Sequence, residues 1–461
     1  MKKNNLNHWS RQMAILYLAG LVVGNVYATP ASDLKQPNLP FVSASCLEQE
    51  TAIKHGLHFS TLPNRWDEAV PLGNGIMGAL VYQKDGKLRL ALDRADLWDL
   101  RPVKEFNGPK YSYKVICEAV DKKDMKPIYE VIDARTQKDI APTKLPAGAL
   151  EFAIGQLGEV ASVDLDVMTA ICTITWKNGT KGYFFTNAVD KKGYFRFVHL
   201  PEKIAINLQS PSFELKEGEK EQHNSLSRLG YKNGKIVNKE NHINYRQKVY
   251  GDVSYETDLK WEYIDDSTME GVFCITTDGT WYSESLSAGK QMKNHTKDFS
   301  TARKEHTEWW KQCEINLPDK VLERQWYLEM YKFGAASRKD APPICLQAVW
   351  TADNGQTPPW RGDFHNDLNT QLSYWPGYAS NHLEESSVFT DWLWKIKENG
   401  QAYTRQFFDV EGLNVPCIST LDGRNLGGWN QYSHSPTAAG WLVHHFYLQW
   451  QYSADEVFLK E

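Results

Sequence analysis

Val167-Met-Thr-Ala-Ile-Cys-Thr-Ile-Thr-Trp176, followed by Lys177-Asn-Gly179 and Tyr183-Phe-Phe-Thr186, is the stretch that decides the fold. The first run alternates apolar and small polar side chains, the period of a strand that buries one face. Asn178-Gly179 suits a type I′ hairpin turn, because both residues tolerate positive φ. A third run over 194–200 continues the meander, so the sequence predicts an antiparallel sheet. Further hairpins are expected over 255–263 and 272–282, the latter turning at Asp278-Gly279. Together these make residues 57–300 a β-sandwich. Residues 216–247 are polar and weakly patterned, and read as a long excursion.

Beyond residue 300 the period becomes helical. Residues 301–312 read as a connecting helix, and Pro318-Asp319 opens another with Asp319 as N-cap. In that second helix Leu322, Trp326, Met330 and Phe333 recur at helical spacing and form one apolar stripe. Residues 384–397 place Phe389, Trp392, Leu393 and Ile396 on one face. A last helix has Ser435 as cap and Pro436 in its first position, with Trp441, His445, Leu448 and Tyr452 along one side. Helices joined by long aromatic loops suggest a helical toroid with a site at its mouth.

The loop most concerned is Thr357-Pro-Pro-Trp-Arg-Gly-Asp-Phe-His-Asn-Asp-Leu-Asn-Thr-Gln-Leu-Ser-Tyr-Trp-Pro376. It carries the inventory of a sugar site: aromatic rings for the C–H faces of a pyranose, and amides and a carboxylate for its hydroxyls. Trp350, Trp360 and Trp375 are candidate sugar platforms or core residues, and His365 and Asn366 are candidates for hydroxyl contacts. The chain has 17 Trp, which suits carbohydrate binding, although any single indole also suits a large core.

Composition narrows the class further. Hydrophobic residues at 41% and charged residues at 24% exclude both a disordered chain and a polytopic membrane protein. Lys2, Lys3 and Arg11, the short apolar run 13–23 and the small-residue site Val26-Tyr-Ala28 read as a Sec-type signal peptide cleaved near Ala28. The expected location is therefore secreted or periplasmic, with no membrane association after cleavage. Cleavage removes three basic residues and no acid, moving the formal charge from −5 to −8, which disfavours nucleic acid as a partner. Seven cysteines are scattered without paired spacing, so neither a disulfide framework nor a zinc site is expected. No phosphate-binding glycine loop, metal-ligand spacing or Ser-His-Asp context appears, and no cofactor is expected.

Several ordered motifs resemble glycoside hydrolase family 95, whose known members include α-L-fucosidases and α-L-galactosidases. In the first half these are Trp66-Asp-Glu-Ala69, Pro71-Leu-Gly-Asn-Gly75 and Asp93-Arg-Ala-Asp-Leu-Trp98. In the second they are Leu346-Gln347 with Trp350, Pro358-Pro-Trp360, Asp367-Leu-Asn-Thr370, Tyr374-Trp-Pro376 and Gly440-Trp-Leu442 with His445. The resemblance implies a multidomain β + α chain: signal peptide 1–28, extension 29–56, antiparallel β-sandwich 57–300, helical linker 301–343, and part of an (α/α)6 barrel at 344–461. It implies an exo-acting, inverting hydrolysis of a terminal α-L-fucosyl or related L-sugar from an oligosaccharide or polysaccharide. In that chemistry a Glu protonates the leaving oxygen, and an Asp with two asparagines of an Asn-x-Asn motif activates water.

Two departures matter. Asn369 matches the second asparagine, but the first falls on Asp367, whose carboxylate can accept from the attacking water, act as general base, cap the following helix or bind a hydroxyl. The acid Glu and base Asp of the family lie C-terminal to the Gly440-Trp-Leu442 helix, so the chain is expected to be truncated within its barrel and inactive or nearly so by itself. The other reading is a non-catalytic carbohydrate-binding or structural remnant. Glu384 and Glu385 start a helix, where negative charge suits the dipole. His444 and His445 point about 100° apart on a helix and make no metal pair.

Overall fold

The computed structural model describes residues 55–103, 106, 108–133, 140–279, 306, 308–427 and 430–461. The expected signal peptide, nearly all of the 29–56 extension and Cys46 lie outside them, as does most of the helix expected over 301–312. Sixteen strands dominate the first part of the described chain, with a short helical stretch between the fifth and sixth. They are β1 (Gly56–Phe59), β2 (Val70–Gly73), β3 (Met77–Lys84), β4 (Lys87–Arg94), β5 (Trp98–Asp99), β6 (Thr143–Lys144), β7 (Ala149–Phe152) and β8 (Val160–Asp166). After them come β9 (Ile171–Trp176), β10 (Lys181–Asn187), β11 (Lys192–Val198), β12 (Ile206–Gln209), β13 (Lys235–Lys239), β14 (His242–Lys248), β15 (Ser254–Tyr263) and β16 (Met269–Thr277).

One antiparallel sheet has the order β1-β8-β9-β10-β11-β16-β15-β14-β13, and a second β12-β7-β4-β3-β2. Their inner faces meet through aromatic rings: Phe152 of β7 lies 5.0 Å from Phe195 and 6.0 Å from Phe184 of the larger sheet. Edge-to-face rings at this spacing add to the apolar burial that holds two sheets together.

Four sequence expectations are corrected here. Residues 167–170 form a turn rather than the start of a strand, with Ala170 at φ 56, so β9 begins at Ile171. Gly179 has φ 90 but Asn178 does not have positive φ, and Trp176 N donates to the Thr180 carbonyl at 2.9 Å. The connection is thus a three-residue loop ending in a left-handed glycine, not a type I′ turn. β15 and β16 pair with each other through a turn at 264–268, and Asp278-Gly279 follows the hairpin instead of turning it. The 216–247 excursion is half regular, since β13 and β14 come from it and pair at the edge of the larger sheet. Its strands escape notice because β13 is exposed at every position, which removes the apolar alternation that marks a strand.

The α-helices of five or more residues among the described residues are α1 (Tyr113–Asp121), α2 (Lys320–Ala336), α3 (Asn369–Ala379), α4 (Leu383–Lys395), α5 (Lys397–Tyr403), α6 (Ala438–Ser453) and α7 (Glu456–Lys460). Asp319 caps α2 through its carboxylate, which accepts from the amides of Val321 and Leu322. Its buried face carries Tyr327, Met330, Tyr331 and Phe333, while Leu322 is exposed, so the stripe is rotated from the expected one. Tyr331 OH reaches the Pro71 carbonyl at 2.8 Å and Gly75 N the Ala335 carbonyl at 2.8 Å, which dock α2 on the sandwich. Close approach explains the glycine of β3: a Cβ on Gly78 would lie 2.1 Å from the Val349 carbonyl oxygen.

α3, α4 and α6 pack on one another around Tyr374, Phe389 and His445. The expected apolar face of α4 is buried as read, whereas α6 begins at Ala438 after Thr437, two residues later than expected. It buries Ala438, Leu442, His445 and Gln449, and Tyr452 is exposed. Glu385 is buried and accepts from Trp309 Nε1 at 2.8 Å, while Glu384 meets Lys339 at the surface. Among the described residues six cysteines are free, no helix is long and apolar enough to cross a membrane, and no cluster of side chains is arranged to hold a metal ion.

Candidate active site

Between the helical loops and the sandwich lies a cavity of about 690 Å³, large enough for one or two sugar rings. One wall is the segment Asp363-Phe-His-Asn-Asp367, extended at its start and turning from Asn366. Two of its residues form the short strand β17 (Phe364–His365), which pairs with β18 (Ile418–Ser419). Successive side chains of an extended chain point to opposite sides. Asp363 and His365 line the cavity, as does Asp367 in the turn that follows, while Phe364 and Asn366 are fully buried behind it.

Hydrogen bonds fix that alternation. Leu346 N donates to the Asp363 carbonyl at 2.9 Å, and Asn366 N to the Cys417 carbonyl at 2.7 Å. The Asn366 amide nitrogen donates to the Pro416 carbonyl at 3.1 Å and to Ser419 Oγ at 2.8 Å. Asn366 is thus a strut of the wall and is not placed to contact a sugar hydroxyl.

Asp363 Oδ1 accepts a hydrogen bond from His365 Nδ1. Burial pushes the Asp363 carboxyl up to about 6 even though His365 and Arg361 pull the other way. Burial opposes protonation of His365, but the bond to Asp363 and the charges of Asp363 and Asp367 outweigh it and hold the imidazole above its ordinary value. Asp367 Oδ1 is buried without any hydrogen-bond partner, on a residue that faces the cavity. An unpartnered carboxylate oxygen is costly, and a ligand or water hydroxyl would satisfy it. It does not cap α3, whose start shows no side-chain cap.

Trp360 stands at the rim, 69% exposed, with its ring edge-on to His365 at 6.3 Å. It and Arg361 both sit in the left-handed region, at φ 47 and 62, and Gly362 follows at φ 68. Two successive non-glycine residues in this conformation store strain that the surrounding contacts must hold, a pattern that collects at functional sites.

The opposite wall comes from the sandwich. His223, Asn224, Ser225, Arg228 and Leu229 line the cavity from the excursion before β13. Asn224 binds the facing loop: its carbonyl accepts from Thr357 N at 2.8 Å, and its amide nitrogen donates to Gln356 Oε1.

Other expected positions lie elsewhere. Trp350 donates its Nε1 to the Leu72 carbonyl at 2.8 Å and packs on the sandwich core, so it is no sugar platform. Trp375, on α3, is 41% exposed outside the cavity. Asn369 is exposed on the first turn of α3 and does not line the cavity either, because the helix starts between it and Asp367 and turns it away. The residues that sequence reading missed are Asp363, Arg361 and the sandwich loop. The first was legible as the i−2 neighbour of His365 in an extended run.

The glycosyl hydrolase family 95 catalytic domain model matches residues 286–461, which includes this wall. Residues 286–461 are thus similar to the catalytic domain of glycoside hydrolase family 95. The glycosyl hydrolase family 65 N-terminal domain model matches residues 57–248, the greater part of the sandwich. Alpha-L-fucosidase 2 of Arabidopsis thaliana is 26% identical over 136 residues, 28% of this chain and 16% of that protein. Probable alpha-fucosidase A of Aspergillus niger is 25% identical over 138 residues, 28% of this chain and 17% of that protein. The matched segments therefore span about a sixth of these relatives. A family 92 inverting mannosidase from Bacteroides thetaiotaomicron overlays 70% of this chain and 45% of its own at 8% identity, with a TM-score of 0.33 that fixes no fold.

Proposed function

We propose that the cavity binds the terminal sugar of an oligosaccharide or polysaccharide, and that the chain works in exo-acting, inverting hydrolysis of an α-L-fucosyl or related L-sugar linkage. The observation that carries this reading is the buried, unpartnered Oδ1 of Asp367 in a cavity rimmed by Trp360 and His365. An ionised carboxylate is an acceptor only, so it suits a water to be activated or a sugar hydroxyl to be held. Trp360 offers an indole face, and His365 offers Nε2 to a second hydroxyl. Asn369 has no part in this reading, since its amide lies outside the cavity. The helices α3 to α6 are read as wall segments of an (α/α)6 toroid, residues 301–343 as its linker, and residues 1–28 as an export signal.

The test combines calorimetry with L-fucose and L-galactose and hydrolysis of an aryl α-L-fucoside, on the chain and on Asp367→Asn. Sugar binding by the chain together with a loss of about tenfold or more in affinity or turnover in the variant supports the reading. Turnover unchanged or raised in the variant removes the base role. Sugar binding with no hydrolysis by either protein favours a carbohydrate-binding role without catalysis.

A further inference from the structure

Resting on that reading, one residue that no motif singled out organises the wall. We propose that Asp363 is the positioning residue of the cavity: its buried carboxylate fixes the His365 ring through Nδ1 and leaves Nε2 to a sugar hydroxyl. The carboxylate is held from both sides of its own backbone. Asp363 N donates to the Trp360 carbonyl at 3.4 Å, and its carbonyl accepts from Leu346 N at 2.9 Å. The residue is 1% exposed, whereas the His365 side chain remains 19% exposed toward the cavity.

An acceptor-only carboxylate beside Nδ1 requires the hydrogen there, so the tautomer is set by Asp363 and not by the ligand. Removing that choice lowers the cost of ordering the ring when a sugar enters. Groups that face the pair are Arg361 and Asp367 on the same segment, and His223 and Arg228 across the cavity from the sandwich loop. Among these, Asp367 acts with Asp363 in favouring the imidazolium, which makes Nε2 a donor.

The experiment uses the full chain with ¹⁵N-labelled histidine. The His365 resonances, assigned with His365→Ala, report the tautomer and the titration midpoint. L-fucose and L-galactose affinities are measured by calorimetry for the wild type, Asp363→Asn, His365→Ala and the double variant. The expected result is an Nδ1-protonated ring in the wild type and a His365 midpoint lower by about one unit or more in Asp363→Asn. Sugar affinity should fall about tenfold in Asp363→Asn, the scale of a lost charge-assisted contact. It should fall no further when Asp363→Asn is added to His365→Ala. An Nε2-protonated neutral ring in the wild type overturns the proposal without any variant. Additive losses in the double variant, or an unmoved midpoint, overturn it as well. If the wild type binds neither sugar, the functional reading fails while the tautomer and midpoint still decide the role of Asp363.

Discussion

Lys144 lies under the loop that carries Trp360, although it does not line the cavity. Its Nζ lies 3.0 and 2.9 Å from the two Asp93 carboxylate oxygens, and 3.2 Å from each of the Arg94 and Ala348 carbonyls. Both charged residues are almost wholly buried, between the sandwich and the loop that carries Trp360. The Lys144 stem also supports that loop, since a Cβ on Gly362 would meet Lys144 Cδ at 3.1 Å, and neighbouring Thr143 donates to the Arg361 carbonyl at 3.3 Å. Lys144→Met keeps the stem and deletes the charge, leaving Asp93 buried without its cation. Breaking one side of a buried pair costs roughly 3–5 kcal/mol. Thr351 Oγ1 and Arg94 N still donate to Asp93, which places the expected loss near about 3 kcal/mol. With a urea slope of about 3 kcal/mol per M, the unfolding midpoint followed by tryptophan fluorescence should drop by about 1 M. Asp93→Asn should cost a similar amount, and the double variant should recover about 2 kcal/mol relative to the sum of the single losses. A Lys144→Met loss below about 1 kcal/mol, or single losses that simply add, would refute the claim that this pair clamps the two regions together.

His434 is buried between Tyr111 OH at 2.9 Å and Tyr403 OH at 3.0 Å, and burial lowers it from 6.5 to about 3. Its neutral form therefore contributes stability that is complete above pH 6.5 and is lost as pH falls toward 3. Between pH 7 and 5 the loss should be about 2 kcal/mol, and His434→Gln should flatten the urea-midpoint stability by about 1.3 kcal/mol per pH unit near pH 5. Equal slopes for variant and wild type would show that His434 is not held neutral. Among the tryptophans, Trp360→Ala should weaken L-fucose binding by roughly three- to tenfold in calorimetry, while Trp375→Ala should leave it unchanged. The reverse order would move the sugar to the outer face of α3.

The sequence discloses most where one periodicity extends over a long run, and least where a short segment changes from one period to another. Strands β9 to β11 and the α4 face were legible because six or more residues repeat the same burial choice. β13 was not, since an exposed edge strand carries no apolar alternation. The site suffers most from this limit. Residues 357–376 invite reading as irregular backbone, because Pro, Gly and Asn punctuate them. Within them only Phe364–His365 form a strand before a turn begins at Asn366, and the alternation that separates Asp363, His365 and Asp367 from Phe364 and Asn366 runs across that change. Two residues later the helix begins, so the same rule cannot be carried on to Asn369. Treating Asp367 and Asn369 as one motif assumes that they share a face, and the start of α3 between them removes that assumption. The sandwich wall was invisible for a different reason: His223 to Leu229 lie more than 120 residues upstream of Gln356, and nothing local marks a loop that closes a distant cavity. A single side chain offers the sharpest separation of these two kinds of information, because Asn366 has the chemistry of a sugar ligand and the position of a strut. Chemistry can be read from residue type, but which side of the backbone it serves depends on local extension, and that is set here by pairing with 418–419 across fifty residues.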